Sequence, residues 1–277
     1  MSEHIIHIHY AFQSCDIKSY QDSKRYCGDD RTLLSKKSIR SFLQSVSYCV
    51  EKVPNRVHTI AIFDDDCSED LRAFHQKCIE QFSCNNIQIE VIKLPKQPDP
   101  KQGIADSIRE CYLWLQDHGR DFVYQIQDDY MFADEAIYEM LDVWQQMYRD
   151  TQTEAIIGGW NDPDIWAREY RYRPTPRTIV QGKHRYWIQS YDCACTFLTS
   201  HSQFSKHWDL YTDFFYLIPK LDKTDGMLEN KSLNYMFTKR GVLMLVPMSS
   251  VSWHMQVWED EDPYIPWRPI WDAIDVS

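Results

Sequence analysis

The chain has 277 residues, 43% hydrophobic and 14% aromatic, enough to build one large α/β domain or two closely packed halves. Its formal net charge of -11 repels phosphate backbones and argues against a nucleic-acid-binding surface, while leaving room for an anionic small ligand held through a divalent cation. No stretch has the length of a transmembrane helix, the opening residues lack a signal-peptide layout, and nine scattered cysteines without a C-x-x-C pair read as reduced thiols, so a cytoplasmic protein with no integral membrane segment is expected.

In chain order, residues 4–12 form a β-branched and aromatic run that predicts a first strand. On it His7 and His9 share a face and His4 lies opposite, which argues against a three-histidine metal site. A polar stretch over 13–30 reads as a loop. Apolar residues at helical spacing from Ile39 to Val50 predict a helix over 33–50. The run 57–63 reads as a buried parallel strand that passes directly into Asp64-Asp65-Asp66, and a helix follows over 71–82. A third strand over 87–94 ends in a proline-rich loop, a helix over 104–119 stops at Gly119, and a fourth strand over 121–127 again ends in carboxylates before a helix over 135–148.

Strands alternating with helices predict an open, mostly parallel central sheet flanked by helices, in which ligands bind at the carboxyl ends of the strands. Both acidic clusters, 64–66 and 128–129, sit at such ends. Beyond Thr151 the pattern changes. Residues 155–162, 185–200 and 241–250 read as strands joined by long Trp-, Tyr- and Pro-rich connections, including Cys193 and Cys195 on a buried strand. Residues 1–150 and 151–277 are therefore taken as two halves of a single domain.

The chemistry of these clusters is that of a hard cation, which takes oxygen ligands from one or two carboxylates plus the phosphates of a substrate. Gln127-Asp128-Asp129 at a strand end suits this role, the plain alternative being a solvated turn. In the other cluster, Ser68 and Asp70 suit the cap and first turn of a helix. Three adjacent carboxylates repel one another, and a bound cation or donor would relieve them.

The segment Asp65-Asp66-Cys67-Ser68-Glu69-Asp70, between a strand and a helix, resembles the D-D-G-S-x-D turn of the GT-A fold glycosyltransferases, especially the family 2-like enzymes, with Cys67 in the glycine position. Gln127-Asp128-Asp129 resembles their strand-end D-x-D motif, with Gln in place of the first acid. The resemblance implies a GT-A (Rossmann-like) domain with a nucleotide-sugar-binding half over 1–150 and an acceptor-binding half over 151–277. It implies transfer of a sugar from a nucleotide-diphosphate sugar, commonly a uridine one, to a carbohydrate or other hydroxyl acceptor, with Mn2+ or Mg2+ as cofactor.

By the same resemblance Asp65 and Asp66 lie near the base, Asp128 or Gln127 by the ribose or phosphate, and Asp129 on the metal. Tyr10 and Arg109 complete the nucleotide-binding candidates, Arg109 through a loose match of Gly103-Ile104-Ala105-Asp106-Ser107-Ile108-Arg109 to a family stretch. His254 matches a late histidine that several such enzymes supply as a metal ligand. The family's catalytic aspartate falls on Asn230, and an amide cannot take a proton from an acceptor hydroxyl, so Glu229 or Asp225 becomes the candidate base. Inversion at the anomeric carbon is expected from the resemblance alone. Trp160, Trp166, Trp187 and Trp253 are candidates for stacking on sugar rings.

Three other readings compete. A sugar-phosphate nucleotidyltransferase would carry a glycine-rich loop after the first strand, where this chain has a single glycine, Gly28. A non-catalytic carbohydrate-binding protein would account for the aromatics but not for acids at two strand ends. A metal-dependent nuclease would need a basic stripe, which is lacking.

Overall fold

The computed structural model describes residues 5–16, 30–96, 100–161, 177–192, 196–217, 232–255 and 267–277. Its first part is a repeated strand–helix unit: β1 (Ile6–Ser14), α1 (Arg31–Lys52), β2 (Arg56–Asp64), α2 (Glu69–Phe82), β3 (Ile87–Lys93), α3 (Pro100–His118) and β4 (Phe122–Gln127). These strands hydrogen-bond in the order β3-β2-β1-β4, and all of these pairings are parallel. Parallel pairing needs both sheet faces covered, and the alternate residues of β1 show how this is done. Ile8, Tyr10 and Phe12 point into a core with Ile39, Phe42 and Val46 of α1, whereas Ala11 belongs to the opposite core with Ile108, Cys111 and Leu115 of α3.

The remaining elements are β5 (Tyr130–Phe132), α4 (Ala136–Thr151), β6 (Ala155–Ile157), β7 (Ile179–Gln181), β8 (Tyr186–Ser190), β9 (Phe197–Ser200), α5 (His201–Lys206), α6 (Trp208–Leu217), α7 (Tyr235–Thr238), β10 (Leu243–Pro247), β11 (Ser252–His254) and α8 (Trp267–Ala273). The sheet continues from β4 as β9-β6-β10-β8-β7, making nine strands among the described residues, so strands from before and after Thr151 share one sheet. In this extension β9 runs antiparallel to both β4 and β6, and β8 antiparallel to β10 and β7. The molecule is thus an α/β structure with a mixed sheet, parallel where the acidic clusters lie. Among the described residues no helix is long and apolar enough to cross a membrane.

Two expectations for this region change. The run 185–200, expected as a single strand, is two: β8 ends at Ser190 and β9 begins at Phe197, and they join different neighbours in the sheet. The Cys193–Cys195 pair lies outside the described residues. The helix expected from 104 begins four residues earlier, at Pro100, where proline's missing N–H costs nothing because the first turn has no acceptor for it.

Among the described residues a second sheet is made of β5 and β11, antiparallel, with His254 opposite Tyr130 and Ser252 opposite Phe132. Its outer side is closed by Trp253, Trp267, Trp271, Met131 and Leu34, a satellite core that docks the C-terminal helix α8 against the start of α1. The Lys37 ammonium lies 4.7 Å from the centre of the Trp271 ring and donates to the Ile274 carbonyl at 3.1 Å and to that of Trp271, tying the end of α8 in place.

Candidate active site

The chain order of the parallel strands creates the site. From β1 the chain steps outward through β2 to β3, then returns over the opposite face in α3 to place β4 on the other side of β1. The strand order therefore reverses between β1 and β4, and at such a switch point a crevice opens beyond the carboxyl ends of the strands. Ser14 pairs in register with Asp64, and Gln13 with Gln127, so Ser14, Asp64 and Asp128 end their strands at one level. Only β1 separates the two acidic clusters, which puts their backbones roughly 10 Å apart, two strand spacings.

At the switch point the end of β1 is tied to β4. The Cys15 N–H donates to Asp128 Oδ2 at 2.7 Å, and the Ser35 hydroxyl donates to the same oxygen at 2.6 Å. Burial pushes the Asp128 carboxyl up to about 6 and neighbouring Asp129 adds to this, while the bonds from Ser35 and Cys15 work against it. Asp129, 6% exposed, begins the turn into β5. Its Oδ2 lies 3.3 Å from Nε2 of His254 on β11, and its backbone carbonyl accepts from the Met255 N–H at 2.8 Å.

The His254 ring stacks on Tyr130 with centroids 4.6 Å apart and meets the edge of Trp160 at 5.1 Å. The Trp160 indole N–H is buried with no hydrogen-bond partner among the described residues. The chain reaches this position through Gly159, whose carbonyl accepts from both Val251 and Ser252; a Cβ there would meet Ser252 Oγ at 2.5 Å.

The carboxylates after β2 have separate surroundings. Asp64 is a structural pin: it accepts from Arg72 Nε at 2.7 Å and from the Cys67 N–H at 2.8 Å, and these bonds outweigh burial to hold it below the usual carboxylate range. Asp65 is pushed up to about 6, chiefly by burial and further by the charges of Asp66, Asp64 and Asp106. Asp66 carries the positive φ of the turn, 57°, and pairs with the exposed Lys96. The left-handed residue is thus Asp66 itself, and Cys67 needs no glycine-like freedom.

Ser68 caps α2 by accepting from Leu71 N–H at 3.2 Å, as expected. The Cys67 thiol is 3.1 Å from the Ser14 carbonyl. Burial raises it well above the usual thiol range, with the Asp64 and Asp128 charges adding, so it remains a neutral packing group between the two clusters.

Asp16, just past β1, accepts from the Ser68 N–H at 2.9 Å, from the Ser68 hydroxyl and from the Thr32 hydroxyl at 2.8 Å. Burial works to raise it, but these bonds prevail and keep it below the usual carboxylate range. The sequence reading missed Asp16, Ser35 and the Cys15 N–H. They come from a stretch taken as loop and from a helix start, and only the sheet order brings them to β2 and β4.

The other expected site residues are placed as follows. Tyr10 is a correction: it is fully buried in mid-strand, its hydroxyl bonded to His58 Nδ1 at 2.8 Å, and it reaches no cleft. Arg109 pairs with Asp106 at 2.9 Å and Glu110 at 3.1 Å on its own helix. Gln127 is half-buried at the end of β4. Trp187 and Trp253, both 1% exposed, are core residues with no face for a sugar. Asp225, Glu229, Asn230 and Trp166 lie outside the described residues.

A donor pair 3.3 Å apart, one carboxylate oxygen and one imidazole nitrogen, matches neighbouring ligands of a single small cation, since metal–ligand distances near 2.1 Å put adjacent donors about 3 Å from each other. Among the described residues no three His, Cys, Asp or Glu side chains gather to hold a metal ion, so a cation here would need further ligands from a substrate or water. No protein-family model matches the chain, and no match is found among curated proteins.

Proposed function

We propose that the protein is a glycosyltransferase of the GT-A type, transferring a sugar from a nucleotide-diphosphate donor to a hydroxyl acceptor with the help of a divalent cation. The observation that carries this reading is the shared position of the two acidic clusters: Asp64–Asp66 and Asp128–Asp129 flank the end of β1 at the sheet's switch point. A ligand spanning that gap meets a carboxylate raised to about 6 on each side, Asp65 and Asp128, with the Asp129–His254 pair at one end.

In this reading Asp129 and His254 hold Mn2+ or Mg2+, which offsets the charge developing on the diphosphate leaving group. Asp65 and Asp66 take the nucleoside side. The buried Trp160 N–H beside His254, without a hydrogen-bond partner among the described residues, supplies a donor for a phosphate or sugar oxygen. As the acceptor oxygen bonds to the anomeric carbon, the bond to the diphosphate oxygen breaks, its electron pair leaves with the diphosphate, and the acceptor proton passes to a base. Asp225 and Glu229 are the candidates for that base, and inversion follows from a single displacement.

Thermal unfolding with a panel of nucleoside diphosphates, with and without Mn2+ or Mg2+, tests the proposal. Stabilisation by a nucleoside diphosphate only when metal is present is the expected result. Stabilisation by triphosphates and sugar phosphates instead would favour a nucleotidyltransferase, and no response to any nucleotide would favour a carbohydrate-binding protein.

A further inference from the structure

The opposite end of the sheet holds a separate cavity of about 380 Å³, lined by His7, His9, Val57, Thr59, Gln88, Glu90, Trp114, His118 and Arg120. Its floor is a patch of three adjacent strands: His7 and His9 of β1 stand in register with Val57 and Thr59 of β2, and Gln88 of β3 is next to Thr59. Strands in the middle of a parallel sheet ordinarily turn apolar side chains to the covering helix. On this same face, further along, they do, with Ala11, Ala61 and Phe63 packed in the α3-side core. At the amino ends the floor instead sets imidazole, hydroxyl and amide groups beside Val57.

α3 forms the wall. Trp114 stacks on His118 with centroids 5.0 Å apart and lies 5.9 Å from the His9 ring. His118 Nδ1 is bonded to the Trp114 carbonyl at 3.0 Å, which fixes that nitrogen as the protonated one in the neutral ring. His9 is 6% exposed, and its Nδ1 is buried with no hydrogen-bond partner among the described residues. A buried imidazole nitrogen without a partner beside a cavity is costly unless something completes it.

We propose that this cavity is a binding site for a small organic anion, a phosphate or carboxylate group attached to a flat body that packs on Trp114. Its permanent cation is Arg120, and the imidazoles of His7, His9, His118 and nearby His201 add positive charge only when protonated; the anionic groups are Glu90 and Asp121, which already accepts from the His7 N–H at 2.8 Å. His9 in the empty cavity is held down to about 4, first by burial and then by the charges of Arg120, His7, His118 and His201. An oxyanion among them reverses the electrostatic part of that effect and stabilises the imidazolium form. The cavity's size suits a compact ligand of one ring. The site lies at the strand ends remote from Asp128 and is independent of the transferase reading.

Imidazole NMR of the full chain in metal-free buffer, titrated with inorganic phosphate and with phenyl phosphate between pH 8 and 5.5, tests this. Phenyl phosphate is expected to bind more tightly than phosphate, more tightly at pH 5.5 than at pH 8, and to raise the pH at which His9 titrates. His9→Gln and Arg120→Gln each weaken binding about tenfold, the loss of one charge-assisted hydrogen bond. Arg120 is exposed, so its variant keeps the test decisive should His9→Gln fold poorly. Absence of perturbation at His7, His9 and His118 up to high ligand concentration, or binding unchanged in Arg120→Gln, would overturn the proposal.

Discussion

His254 Nε2 lies 3.3 Å from Asp129 Oδ2, joining residues 125 positions apart in the chain across the two-stranded sheet of β5 and β11. That sheet has few hydrogen bonds of its own. Trp253, Trp267 and Trp271 pack behind it with α8, backing the strand that carries His254. If both side chains hold a cation, Asp129→Ala and His254→Ala should each abolish the metal-dependent part of nucleoside-diphosphate stabilisation while leaving the metal-free melting temperature within a few degrees. A metal-dependent shift retained in either variant removes that residue from the site.

Asp128 carries a stability cost when ionised. Its carboxyl is raised from 3.8 to about 6 in the folded protein, so folding disfavours the charged form; the penalty is present above pH 6 and absent below the unfolded value near 4. Asp128→Asn keeps an oxygen to accept from Cys15 and Ser35 and removes the charge. The variant should gain about 3 kcal/mol at pH 8, well under 1 kcal/mol at pH 4, and lose nucleotide binding. Urea unfolding at the two pH values checks this; equal or lower stability at pH 8 would mean the charge is better compensated than the geometry indicates.

Acid should act through the core histidines. Burial holds His58 down to about 3 and His75 to about 4, with the Arg56 charge adding at His58. The unfolded chain binds these protons near pH 6.5 and the folded one does not. Their stability contribution is therefore complete above that pH and is lost as pH falls from 6.5 toward 4, by up to about 1.4 kcal/mol per histidine per pH unit. Asp65 and Asp128 oppose this below pH 6, because the folded state protonates them first. NMR should find both imidazoles neutral from pH 8 to 5 in the folded protein; ordinary titration near 6.5 would contradict their burial.

Arg185 is the clamp of the second sheet. Its side chain, 17% exposed, bonds to Glu139, to Glu135 at 3.1 Å and to the Ser249 carbonyl at 2.8 Å, linking α4 to the loop that leads into β11. Arg185→Gln leaves the nearly buried Glu139 carboxylate without its cation, a loss of about 3 kcal/mol. Because the loop aims His254, the variant should also weaken metal-dependent nucleotide binding below its unfolding temperature. Normal binding in the folded variant would show that β11 holds its position without the clamp.

The parallel part of the fold was legible because each element there carries its own signal: the apolar run of β2 stops at Asp64, α2 begins with its Ser68 cap, and α1 repeats its apolar residues at helical spacing. The acids at the ends of β2 and β4 could be read as one site for the same reason, since parallel strands deliver their carboxyl ends to one edge. The second half resisted. β5 is three residues long inside an acidic turn, and its partner β11 is over a hundred residues away, so no local pattern announces the pairing. Residues 208–217 are so aromatic that α6 has little polar face to mark a helix. Tyr10 shows the limit within a strand, where an aromatic hydroxyl that invites a binding role is satisfied by His58 in the core.

The most direct test of the account is electron paramagnetic resonance of Mn2+ bound to the protein with a nucleoside diphosphate, resolving hyperfine couplings to phosphorus and to nitrogen. The account predicts phosphorus couplings from the diphosphate together with one imidazole nitrogen coupling, the nitrogen signal vanishing in His254→Gln. Manganese that remains hexa-aquo in the presence of protein and nucleotide, or that couples to phosphorus with no nitrogen from His254, would contradict it.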